Sequence, residues 1–235
     1  MYTLLLKRKA RTAKQDIHQV QLNEMERVEA ELTPAPRAPL EEKPWDEIQN
    51  ILKMDLEYSR TLAGSNEKVP FKKELIKKYT PLINKLLKSH GNNLEGLDVV
   101  WWFYQWQVDC GFLLQIHDDF KAAILSGLNT PANWKSNGQT AYCDIVFKYS
   151  EEAYKAKKTF NTALLSGAVN DVLEGKLATN APLKVKMFRL AGDLLFDAEM
   201  NEEALALYEV VMAIDPNKGG RKIRVKELKE ALGHE

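Results

Sequence analysis

One stretch constrains the fold more than any other. From Leu97 to Leu125 the sequence LDVVWWFYQWQVDCGFLLQIHDDFKAAIL carries three of the five tryptophans and two apolar series with a glycine between them. Val99, Trp102, Phe103, Trp106 and Cys110 fall at helical spacing, and after Gly111 so do Leu113, Ile116, Phe120, Ala123 and Ile124. Two amphipathic helices joined at a glycine bury their stripes by folding back on each other, which predicts an antiparallel hairpin in the middle of the core. A membrane span is the competing reading. Gln105, Asp109, Asp118, Asp119 and Lys121 interrupt the run well short of the roughly 20 apolar residues that a span requires.

The rest of the chain is that of a globular protein with room for a substantial core, at 235 residues and 28% charged side chains. Its formal net charge is +0, so nothing global advertises a polyanionic partner and any such contact has to come from a local patch. Cys110 and Cys143 lie in apolar helical contexts without CxxC spacing, and are read as reduced core thiols rather than a disulfide or metal pair. The opening MYTLLLKRKAR sets a short apolar stub before its basic cluster, the reverse of a secretory order, and is read as no targeting segment.

Three regions follow from composition. Residues 1–32 form a basic arm and an acidic helix. Lys7, Arg8, Lys9, Arg11 and Lys14 precede the first carboxylate, Asp16, and form a candidate phosphate-contacting set whose alternative is a solvated terminus. From Asp16 to Leu32 a thin stripe of Ile17, Val20, Met25 and Val28 runs among glutamates, a marginal helix that needs a partner such as another copy of itself. Residues 33–44 hold four prolines and form a linker. Residues 45–235 read as one all-helical domain.

Within that domain, Trp45 to Leu62 and Pro70 to Leu87 have helical periodicity, with Pro81 expected to kink or divide the second. Lysines 72, 73, 77, 78, 85 and 88 on that helix are either a DNA-facing surface or, as is commoner, a solubilising face. Leu128 to Gly138 is turn-rich. In it, Trp134 beside Lys135 can stack on a base or anchor a partner, or can lie back over the core. Helical spacing resumes over Thr140 to Ala156 and Phe160 to Leu173.

Residues 182–232 are the most patterned. Phe188, Ala191, Gly192, Leu195, Ala204, Tyr208, Val211 and Pro216 sit where a tetratricopeptide repeat places its large, small and turn residues, although Glu199 and Met200 replace the usual turn glycine. Asn201 is the expected N-cap of the second helix, and Lys222 to Leu232 closes the chain. The basic residues Lys218, Arg221, Lys222 and Arg224 are candidates for contact with DNA or a protein partner, as are Trp134 and Lys135. The expected fold class is therefore all-α: helical hairpins with a tetratricopeptide-like C-terminal repeat, preceded by a flexible basic arm and helix.

No catalytic signature is present. There is no GxxxxGK[ST] loop, and the four histidines fall in unrelated contexts without zinc spacing. His117, Asp118 and Asp119 are adjacent on a helix, point in different directions, and are read as a solvated face rather than a metal cluster. Asp193, Asp197, Glu202 and Glu203 are read as ordinary exposed positions. No catalytic residue, metal or cofactor is expected.

The order of these features, with VWWFYQWQVDCGF at the hairpin turn, the turn-rich TPANWKSNGQT, then FRLAGDLLFD and EEALALYEVVMAID followed by KGGRKIRVKELK, resembles the terminase small subunit of Peduovirus-type temperate tailed bacteriophages. The likeness runs from about Trp45 to Leu232. It implies a protein that recognises the packaging site on double-stranded phage DNA, assembles as a homo-oligomer, often a ring, and hands DNA to a large subunit that carries the ATPase and nuclease, in the cytoplasm of the bacterial host. Members have also been labelled as the endonuclease subunit, which would call for Mg²⁺. A helical-repeat adaptor that never touches DNA is the remaining alternative.

Overall fold

Proline sets the first boundary. The computed structural model describes residues 38–233, and the chain divides into two units, Met1–Lys43 and Pro44–Glu235. The basic arm and the expected helix from Asp16 to Leu32 lie outside the described residues. Of the first unit, the described part is a single 3-10 turn, Leu40–Glu42, closed by the Glu42 amide donating to the Pro39 carbonyl at 3.0 Å.

The second unit contains nine α-helices and, among the described residues, no strand, in agreement with the all-α expectation. They are α1 (Trp45–Thr61), α2 (Gly64–His90), α3 (Asp98–Asp109), α4 (Leu113–Leu125), α5 (Gly138–Lys155), α6 (Ala163–Leu173), α7 (Ala181–Asp197), α8 (Asn201–Ile214) and α9 (Lys222–Leu232). Each packs on its neighbour in sequence, and α5 also reaches α7. Short connections make consecutive helices antiparallel partners, so the layering follows chain order.

Helix α2 departs from the sequence reading. It begins at Gly64, six residues before Pro70, and runs unbroken through both Pro70 and Pro81. Each proline removes an amide and strands a carbonyl four residues back. For Pro81 that carbonyl belongs to Lys77, and both residues are exposed, so water can satisfy it. On the other face Leu75, Tyr79, Leu82, Ile83 and Leu86 are buried and hold the helix together by packing. Each such side chain contributes about 1.5–3 kcal/mol when fully buried, enough to carry one lost bond.

The hairpin of α3 and α4 is where it was expected, and its turn shows why glycine is needed. Gly111 has φ +83°, its amide donates to the Val108 carbonyl at 2.9 Å, and the Phe112 amide donates to Gln107 at 2.9 Å. This pair of bonds is the left-handed Schellman termination, favourable for glycine and strained for other residues. The buried stripe on α3 is rotated from the one expected, however. Val99, Val100, Trp101, Tyr104 and Trp106 are buried, whereas Trp102 and Phe103 are half-exposed. Helix α3 lies between α2 and α4, so two faces are covered rather than one.

A chain of aromatic contacts ties four helices together. Tyr79 on α2 meets Trp106 at 5.3 Å between ring centroids, Tyr104 stacks on Phe120 at 4.9 Å, Trp101 meets Phe120 edge-on at 5.7 Å, and Phe120 meets Tyr142 on α5 at 5.5 Å. These are offset and edge-to-face arrangements that ring quadrupoles favour. The tryptophans of the hairpin thus set how the helices stack.

At the C-terminal end, the Asn180 side chain caps α7 by accepting from the Leu183 amide at 3.0 Å, with Pro182 in the first turn. Helices α7 and α8 approach closely at Gly192, where an added Cβ would lie 2.7 Å from the Tyr208 ring. The turn between them is made without glycine: Glu199 takes φ +62°, and the Met200 amide donates to the Leu195 carbonyl at 2.9 Å. Because Glu199 completes that turn, α8 starts at Asn201 itself. The N-cap is Met200, without a side-chain bond, rather than the Asn201 expected. Helix α9 closes the unit through Leu228, which joins Ala204, Leu205 and Tyr208 in one buried cluster.

Candidate nucleic-acid interface

The sequence-predicted residues fall into three places. Lys7, Arg8, Lys9, Arg11 and Lys14 lie outside the described residues. Trp134 is half-buried, with its ring edge-on to Trp101 at 5.3 Å and Trp102 at 5.8 Å between centroids. Its ring is thus part of the aromatic core, which leaves exposed Lys135 as the accessible member of that pair. The remaining four, Lys218, Arg221, Lys222 and Arg224, gather around the connection from α8 to α9.

That connection is rigidly built. Asp215 Oδ1 accepts from the backbone amides of Asn217 at 3.2 Å and Lys218 at 2.8 Å, and the Gly219 amide donates to the Asp215 carbonyl at 2.9 Å. An aspartate that bonds the chain two and three residues on fixes a tight turn. Gly219 is buried, and a Cβ there would meet the Asp215 carbonyl oxygen at 2.8 Å and Met212 Sδ at 2.9 Å. Gly220 follows with φ +74°, the left-handed conformation that reverses the chain into α9.

Arg221 has a structural partner. Its Nε donates to Asp193 Oδ1 at 2.8 Å and its Nη2 donates to Asp193 Oδ2, a two-pronged pairing, while the Tyr208 hydroxyl also donates to Asp193 Oδ1 at 2.8 Å. Asp193 is therefore the hub that joins α7, α8 and the start of α9, not the ordinary exposed carboxylate of the sequence reading; its side chain is 20% exposed. Burial, reinforced by the bond to Asp193, pushes the Tyr208 phenol well above its usual range, and the same carboxylate raises the Arg221 guanidinium further. Arg224 lies over the Phe196 ring at 4.0 Å, a cation–π contact that keeps its charge at the surface. Asp197 likewise has a partner, accepting from the Tyr154 hydroxyl at 2.9 Å.

Lys218 and Lys222 are exposed and, among the described residues, without a carboxylate partner. The structure adds two cations that sequence reasoning missed. Lys186 and Arg189, one turn apart on α7, line a cleft of about 340 Å³ together with Lys218 and Asp215. Their signal was present in VKMFRLAG, where these two cations alternate with the buried Val185, Met187, Phe188 and Leu190. What was not legible is that the α8 to α9 connection folds back beside them.

The lysines of α2 behave differently. Lys72 pairs with Asp109 at 2.6 Å, Lys78 with Asp55 at 2.6 Å and Lys77 with Glu74 at 2.9 Å, so three of the six lysines in that row are locally neutralised. The His117 cluster also differs from the solvated face expected. His117 is buried, with Nε2 at 2.8 Å from the Tyr142 hydroxyl and Nδ1 at 2.8 Å from Asp118, whose own side chain is exposed. Among the described residues no group of three His, Cys, Asp or Glu side chains can hold a metal ion. Cys110 and Cys143 are both free thiols, and burial pushes Cys143 up to about 12.

A second surface feature is apolar. A groove of about 570 Å³ between α6, α7 and α8 is lined by Leu165, Val169, Leu194, Leu195, Met200 and Leu207 among others. No helix among the described residues is long and apolar enough to cross a membrane.

Fold and surface together define a serial helical scaffold, stapled by aromatic contacts, that presents a rigid basic connection between α8 and α9 and an apolar groove between α6, α7 and α8. The profile of the phage small terminase subunit family matches residues 49–180, more than half of the chain, and the chain belongs to that family. The match spans α1 to α6 and ends at Asn180, the cap of α7. No curated protein and no solved structure matches the chain. Family membership assigns it a role in the packaging of viral genomes.

Proposed function

We propose that this chain is the DNA-recognition and adaptor subunit of a phage packaging machine of the Peduovirus type. It binds double-stranded viral DNA at the packaging site, acts as a homo-oligomer in the host cytoplasm, and presents the DNA to a large subunit that supplies ATP hydrolysis and cutting. The observation that carries this reading is the family match across the aromatic hairpin scaffold. The basic arm of Lys7, Arg8, Lys9, Arg11 and Lys14 supplies phosphate contacts, and several copies in a ring multiply a modest patch into useful avidity without a basic chain overall. The groove beside α8 favours the adaptor half of the role, since an amphipathic helix laid into such a groove is a common mode of protein recognition.

Deleting residues 1–15 is expected to lower affinity for duplex DNA and flatten its salt dependence while leaving the far-ultraviolet circular dichroism intact. Unchanged binding would remove the arm from the interface. The competing reading, a metal-dependent endonuclease, predicts cutting of cognate DNA by the purified chain with Mg²⁺ or Mn²⁺, abolished by Asp118→Ala or Asp119→Ala.

A further inference from the structure

The proposed function leaves open which part of the folded unit meets DNA. We propose that the end formed by α7 and the α8 to α9 connection is a second phosphate-contacting surface that tracks the backbone of duplex DNA. It lies beyond the residues that match the family.

Six cations converge there. Lys186, Arg189 and Lys218 line one cleft, of about 340 Å³, and Arg221, Lys222 and Arg224 line a second, of about 610 Å³. The two are continuous through Arg189. An added Cβ on Gly220, which borders the second cleft, would lie 3.7 Å from an Arg189 guanidinium nitrogen. Three carboxylates stand against the six cations: Asp215 and Glu227 on the walls and Asp193 behind them. Asp193 is committed to Arg221, and one oxygen of Asp215 to the turn. Among the described residues Lys186, Arg189, Lys218 and Lys222 have no carboxylate in ion-pair contact, in contrast to Lys72, Lys77 and Lys78 on α2. Six cations against three carboxylates, in a chain with formal net charge +0, are a local excess of positive charge.

The texture of the surface selects its partner. A protein interface is organised around a buried apolar centre, and here the one large apolar side chain offered is Ile223, 76% exposed between Lys222 and Arg224. The remaining lining of this cleft is Asn217, Gly220, Arg221, Lys222, Arg224 and Glu227, three cations against one carboxylate, which suits a polyanion approached closely by backbone and held by charge. Preorganisation supports this reading. The Lys218 backbone sits in a turn fixed by Asp215, and the Arg221 fork fixes the start of α9, so the backbone that carries these cations is set before binding.

This inference rests on the DNA-binding reading, and the test separates the two. The full-length chain and its Lys186→Ala/Lys218→Ala variant are titrated against a random-sequence duplex by fluorescence anisotropy, with salt raised from about 50 to 200 mM. Both residues are exposed and unpaired, so the fold is retained, and Lys77→Ala/Lys148→Ala, which removes two paired surface lysines, is the control for charge alone. At a slope of about 0.9 per phosphate contact, losing two contacts makes the fall in affinity over that range about tenfold smaller, and the control leaves it unchanged. If the wild-type chain binds and the variant matches it in slope and affinity, this surface does not meet DNA and the inference is overturned while the proposed function stands. If the wild-type chain binds no duplex even at about 50 mM salt, the DNA reading itself fails and the inference with it. A variant that binds DNA normally but no longer co-purifies with the large subunit assigns the surface to a protein partner and overturns the inference in the same way.

Discussion

Gly192 offers a close test of how α7 and α8 pack. Changing it to alanine adds one methyl group, whose carbon would sit 2.7 Å from Tyr208 Cε1 and 2.9 Å from Cδ1. Carbon atoms pack at about 3.5–4.0 Å, so helix or ring has to move by about 1 Å. The ring is poorly placed to yield: Tyr208 is 1% exposed and its hydroxyl is held by Asp193. Overpacking of this kind costs about 1–3 kcal/mol, against which replacing a helical glycine by alanine contributes about 1 kcal/mol of helix propensity. The net expectation is a loss of up to about 2 kcal/mol. Gly167, in α6, is the internal control, because an added Cβ there meets nothing within 4 Å. Gly167→Ala should therefore stabilise by about 1 kcal/mol. In thermal melts each kcal/mol moves Tm by about 2–4 °C in a chain of this size, so the two variants should shift in opposite directions. Equal upward shifts for both would refute the close approach of α7 and α8, and with it the geometry that lets Asp193 reach Arg221.

Three further outcomes follow from the same structure. Asp193→Ala strands the Arg221 guanidinium and the Tyr208 hydroxyl, both mostly buried, and should lower stability by about 2–4 kcal/mol in a denaturant titration, where Asp193→Asn should lose less. Glu199→Gly relieves a left-handed non-glycine residue, φ +62°, and should raise Tm by an amount equivalent to about 1 kcal/mol. Burial raises the Cys143 thiol from 9.0 to about 12, so the folded chain keeps a proton that the unfolded chain gives up. Stability from this group is complete below pH 9.0 and is lost as pH rises toward about 12, and urea midpoints measured across that window should fall. For the same reason a thiol reagent at neutral pH should modify Cys143 only after unfolding.

The sequence made the architecture legible wherever periodicity and a breaker agreed. The α3 and α4 hairpin could be read because two helical series flank Gly111, and Gly111 adopts the conformation that its position required. Reading failed where tertiary packing overrode a local rule. Pro81 does not divide α2, because its stranded carbonyl faces water and the buried face holds the helix. The α3 stripe was legible only at Val99 and Trp106, with Trp101 and Tyr104 buried in place of the expected Trp102 and Phe103, because a helix covered on two sides by α2 and α4 has no single apolar face to read. His117 was assigned to a solvated face because it, Asp118 and Asp119 point in different directions, and only the approach of α5 supplies the Tyr142 hydroxyl that satisfies it in the core.

The candidate interface was half legible for a related reason. A run such as KGGRKIRVKELK shows its cations directly, and four of the six were named from it. Lys186 and Arg189 are distant in sequence and join them only because the Asp215 turn folds the connection back beside α7. Conversely, the sequence cannot show that Asp193 already holds Arg221, or that the Trp134 ring lies against Trp101. Whether a charged or aromatic residue is available for a partner depends on what it touches at home, and that is a property of the fold.

The central claim is that this scaffold works as an assembled DNA-recognition subunit. Native mass spectrometry of the full-length chain, alone and with duplex DNA, tests it most directly. The account predicts one closed multi-subunit species that takes up duplex DNA and returns it uncut in the presence of Mg²⁺. A strict monomer that takes up no DNA would contradict it.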